Sequence, residues 1–80
     1  MKQMQKSAVQ IRINETIKFS DTFGTHTVKV TNANVSLIYK GQIEIVGTVV
    51  STTCKSTYVS VCSDYSKYFR LKTRVELINI

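Results

Sequence analysis

Eighty residues bound this chain to one domain, spanning 1–80, whose core leaves little stability to spare. Apolar residues make up 42% and charged residues 20%, a globular balance that excludes a disordered chain. The formal net charge of +6 favours anionic partners, although the cations are spread, with six Lys or Arg before Gly41 and five after it.

The opening MKQMQKSAVQ contains good helix formers, which allows a short N-terminal helical turn. It lacks the apolar stretch of a secretory signal, and no run reaches the roughly 18 apolar residues of a membrane span. A cytoplasmic location is therefore expected, in the cell's own cytoplasm or a host's, with no membrane partner. Beyond this point the periodicity is 2 nearly throughout, the signature of strands. In AVQIRIN, Val9, Ile11 and Ile13 share one face; Ile17 and Phe19 continue the alternation. SDTFGTHT reads as a turn, with Gly24 supplying its unusual backbone angle. HTVKVT then alternates, placing His26, Val28 and Val30 on one side.

Residues 32–34 (NAN) read as a turn and VSLIY as the next strand, with Tyr39 in phase with Val35 and Leu37 and so directed to the core. Lys40-Gly41 marks a reversal. The long QIEIVGTVVST is apolar on both faces between 43 and 50, as a subunit interface would leave it, and Gly47 in mid-strand points to a bulge or bend. Residues 53–57 read as a loop, YVSVCS as a strand, DYSK as a turn holding Tyr65, and the closing strand runs from Tyr68 to the end. About six strands at this spacing predict an all-β fold, a small antiparallel barrel or sandwich.

Catalytic chemistry is hard to assemble from this composition. His26 is the only histidine, and its inward parity opposes a dyad with Cys54 or Cys62. The two cysteines are too few for a disulfide framework or a structural zinc site, and a cytoplasm keeps them as thiols. Glu15, Asp21, Glu44, Asp64 and Glu76 have no spacing that suggests a shared metal or an acid–base pair. No glycine-rich phosphate loop is present. The expectation is a non-enzymatic protein with no catalytic residues, metal ligands or cofactor.

KYFRLKTRVELINI carries the most distinctive pattern. On one continuous strand Tyr68, Arg70, Lys72, Arg74 and Glu76 face outward together, the three cations roughly 6.6 Å apart, while Phe69, Leu71, Thr73, Val75 and Leu77 face the core. A basic track beside an aromatic ring is the recipe for single-strand nucleic-acid binding. Tyr58 joins that surface if its strand is the neighbour, and Lys55 and Lys67 add to the field. Basic residues on an outward strand face also simply keep it soluble.

These features lead to a binding module for an anionic ligand, single-stranded nucleic acid or a nucleotide. The alternative is an oligomeric interaction or inhibitor protein, of the kind phage and mobile elements carry. Such a protein acts through an acidic protein partner or sequesters a nucleotide between subunits of a homo-oligomer.

Overall fold

The computed structural model describes residues 4–55 and 59–78. The protein is all-β, with six antiparallel strands in one sheet. They are β1 (Met4–Ser7), β2 (Thr16–Asp21), β3 (Gly24–Val35), β4 (Gln42–Thr52), β5 (Asp64–Arg70) and β6 (Arg74–Ile78). β2 to β5 form a meander, and β6 returns to lie between β1 and β2, giving the order β1-β6-β2-β3-β4-β5.

The sheet is open, with β1 and β5 at its edges, but it cannot be flat. Four inter-strand steps separate β5 from β6 in the sheet order, roughly 19 Å at about 4.8 Å per step. Only residues 71–73 join them, and the path from Arg70 to Arg74 reaches about 14 Å at most. The sheet therefore curls, and the short N-terminal segment seals the curl. A 3-10 turn at Ala8–Gln10 follows β1, and its Ala8 and Val9 amides donate to Thr73 O and Leu71 O at 2.8 and 3.2 Å. The core lies inside, built from Ala8, Ile11, Ile17, Val28, Val30, Ile43, Ile45, Val49, Val59, Phe69 and Val75.

Period-2 alternation locates β2, the first half of β3 and β4 correctly, because those strands bury one face. Gly47 has the role its position implied. β3 carries Thr31 as an extra residue between the Val30–Gly47 and Asn32–Val46 pairs. At that bulge β3 comes so close that a Cβ on Gly47 would collide with Lys29 O and Val28 Cγ1. The second irregularity leaves Val50 extra on β4 and turns it to solvent. β4 is an interior strand with a partner on each side, so its apolar outer face is part of the sheet surface and not a free edge.

Several boundaries differ from expectation. AVQIRIN is not a strand: the 3-10 turn takes its start, and Val9 and Ile13 are exposed while Ile11 is buried. Glu15 folds residues 12–15 into a turn by accepting the Arg12 amide at 2.7 Å and pairing with Lys6 at 2.8 Å. The helical turn in the N-terminal ten residues exists but follows a strand instead of opening the chain. Residues 32–34 continue β3 through the bulge, and VSLIY leaves the sheet after Val35. Residues 59–63 of YVSVCS form a turn, with Cys62 at a φ of 70° and the Ser63 amide donating to Ser60 O at 3.1 Å. Tyr65 lies on β5, where a turn was expected. The closing strand is two strands, broken at 71–73.

Candidate functional site

The break at 71–73 reorganises the basic stripe. Tyr68 and Arg70 project outward from β5, Lys72 lies exposed in the turn, and Arg74 opens β6. A straight row of cations on one strand does not exist. The chain reverses instead, with the Thr73 amide donating to Arg70 O at 3.0 Å, and Arg70, Lys72 and Arg74 follow one another around a corner. The Leu71 amide donates to Gly41 O at 3.2 Å, which joins this turn to the β3–β4 loop and sets Lys40 beside it. The ion pairs among described residues, Lys6–Glu15, His26–Asp21 and Lys67–Asp21, all lie elsewhere. The four exposed cations at this corner have no described carboxylate within salt-bridge distance.

The β3–β4 loop, residues 36–41, is ordered by its own polar groups. Ser36 Oγ accepts the Ile38 and Tyr39 amides at 3.1 and 2.9 Å, and the Ser36 amide donates to Gln42 O at 2.8 Å. Hydroxyl bonds of this kind compete with ladder pairing and end the strand. The loop turns its apolar residues outward: Leu37 is 101% and Ile38 79% exposed. Tyr39, expected in the core, is half exposed and meets Tyr68 edge to face with ring centroids 4.8 Å apart. Desolvation and the Glu44 carboxylate that it bonds raise the Tyr68 phenol above its ordinary range.

Three other residues do not join the corner. Lys67 alternates with Tyr65 and Phe69 toward the interior, opposite in sense to Tyr68 and Arg70. Its Nζ lies 3.7 Å from Asp21 Oδ2 and 5.8 Å from the ring centroids of Phe19 and Phe69. Lys55 follows the far end of β4, about 30 Å along the strand from Gln42. Tyr58 lies outside the described residues.

The interior holds a second constellation, around Asp21, His26 and Tyr65. His26 on β3 is fully buried; its Nε2 donates to Asp21 Oδ1 at 2.8 Å, and its Nδ1 lies 2.7 Å from Thr52 Oγ1. Tyr65 Oη donates to Asp21 Oδ2, and the Phe23 amide donates to Oδ1 at 2.9 Å. Burial opposes ionisation of Asp21, but the bonds from Tyr65, His26 and Phe23 outweigh it and hold the carboxyl at about 2. Tyr65 is shifted upward by desolvation and by that same carboxylate. Phe19 stacks on Tyr65 at 5.9 Å and meets His26 and Phe69 edge-on at 5.7 and 5.3 Å. Both ring nitrogens of His26 are committed, so neither faces a cysteine. Asp21 and Tyr65 come from β2 and β5, which are not neighbours in the sheet, so their bond crosses the inside of the curl. Sequence reasoning placed His26 inward but missed Asp21, which looked like a turn residue, and Tyr65, which looked like a loop residue.

An open groove of about 560 Å³ lies among Met4, Lys6, Thr16, Lys29, Val50 and Leu77. Its Lys6 is neutralised by Glu15 at 2.8 Å. No protein-family model, curated protein or solved structure matches the chain.

Proposed function

We propose that this protein is a non-enzymatic nucleic-acid-binding module whose contact surface is the corner formed by the β5–β6 turn and the β3–β4 loop. The observation that carries this reading is the grouping of Lys40, Arg70, Lys72 and Arg74, all exposed and lacking a described acidic partner, beside the Tyr39–Tyr68 pair. Cations held this way gain by replacing the counterions of a phosphate backbone, and tyrosine rings supply faces for bases. The bent arrangement relaxes the expectation of an extended single strand, since the cations no longer keep a 6.6 Å repeat along one line.

The buried constellation supports the non-enzymatic part. His26 has no solvent access, and its partners hold the curled sheet together. The test is fluorescence anisotropy of labelled single- and double-stranded oligonucleotides at low salt, with an Arg70→Gln/Lys72→Gln/Arg74→Gln variant as control. Micromolar or tighter binding that is lost in the variant is the expected outcome. Equal binding by the variant, or none by the native protein, would contradict the proposal.

A further inference from the structure

The β3–β4 loop carries a feature that phosphate binding does not use. Leu37 and Ile38 are the tip of a hairpin built from the two longest strands of the protein, and both aliphatic side chains stand in solvent. Exposing two adjacent large aliphatics on an ordered loop has no benefit for folding, because neither packs on the core. Ser36 fixes the loop from within, so the display is a defined shape. Lys40 lies two residues beyond Ile38, and the Leu71–Gly41 bond and the Gln42–Arg70 pair set Arg70 and Lys72 at the base of the loop.

Resting on the nucleic-acid reading, we infer that the Leu37–Ile38 tip is a wedge that enters between stacked base pairs of a duplex while the surrounding cations hold the flanking phosphates. β-hairpin and other minor-groove proteins insert Leu, Ile, Phe, Met or Pro between base steps in this manner, and kink the helix as they do so. The substrate class is double-stranded DNA containing flexible pyrimidine–purine steps, where unstacking costs least. A second copy of this chain fits the tip poorly, because each carries +6 and the same cationic collar. A lipid surface is also the weaker occupant: Leu37 and Ile38 bring about eight side-chain carbons, fewer than the single acyl chain that gives only marginal membrane binding.

The test uses a short duplex with a central TA step, labelled at its two ends for energy transfer, and a Leu37→Ser/Ile38→Ser variant. Binding is followed separately by anisotropy. The expected result is that the native protein shortens the end-to-end distance, corresponding to a kink in the range of about 20–90°. The variant should bind with similar salt sensitivity yet leave the duplex straight. Binding without bending by the native protein, or bending retained in the variant, overturns the wedge and leaves the binding module standing. No binding in anisotropy removes both. Sedimentation with phosphatidylglycerol vesicles, present for the native protein and lost in the variant, with no duplex bending, assigns the tip to lipid and also overturns the wedge.

Discussion

Asp21 accepts three hydrogen bonds and faces Lys67, so its charge matters more than that of any other described carboxylate. Its folded pKa of about 2 lies below the ordinary value of 3.8. A depressed carboxylate contributes stability that is complete above the ordinary value and disappears as pH falls through the folded one. Urea midpoints measured between pH 5 and pH 2 should therefore drop over roughly that window for the native chain. Asp21→Asn should be flatter across the same range and less stable at neutral pH by roughly 2–4 kcal/mol, since it weakens charge-assisted bonds to Tyr65 and His26. Equal acid sensitivity in the two proteins would show that Asp21 does not govern it. Gly47 is a second residue-scale control. Gly47→Ala should destabilise by about 1–3 kcal/mol in the same assay, because the new methyl meets the β3 backbone at its bulge.

At the scale of elements, legibility followed burial. β2, the start of β3 and β4 each bury alternate residues, so hydrophobicity recorded their direction. VSLIY alternates just as well, yet it leaves the sheet because Ser36 Oγ captures two amides that a ladder would need. Periodicity reports which residues share a face and says nothing of whether that face meets a partner. The break inside KYFRLKTRVELINI carries no Gly, Pro, Asn or Asp to announce it. It is fixed from outside, by the Ala8 and Val9 amides and by Gly41 O. Those partners are distant in sequence, Ala8 bonding Thr73 and Val9 bonding Leu71 from the other end of the chain, so no local pattern holds them. The exposure of Arg70, Lys72 and Arg74 was therefore legible and their arrangement around a turn was not. Lys67 and Lys55 lie away from the corner, a placement the sequence did not carry, since charge alone does not tell inside from outside or one strand end from the other. The Leu37–Ile38 loop makes its own prediction. Leu37→Ser/Ile38→Ser should unfold within about 0.5 kcal/mol of the native protein, because neither side chain touches the core. A loss of several kcal/mol in chemical denaturation would show that the loop is a folding element.

For the whole molecule, one curled sheet carries a buried polar constellation and an exposed cationic turn. The Asp21–His26–Tyr65 constellation spans β2, β3 and β5 and holds the curl from inside. The β5–β6 turn meets the β3–β4 loop through the Leu71–Gly41 bond, with Lys40, Arg70, Lys72 and Arg74 exposed on or beside them. The net charge of +6 acts over the entire surface, and the corner cations stand beside the Tyr39–Tyr68 pair. The decisive measurement is the salt dependence of oligonucleotide affinity for the native protein and for Arg70→Gln/Lys72→Gln/Arg74→Gln. Four phosphate contacts at the corner should give a slope of log affinity against log salt near −3.6 on duplex, reduced by about 2.7 in the variant. A slope near zero, or the same slope in both proteins, would contradict the account, because the corner would then not be where phosphate is bound.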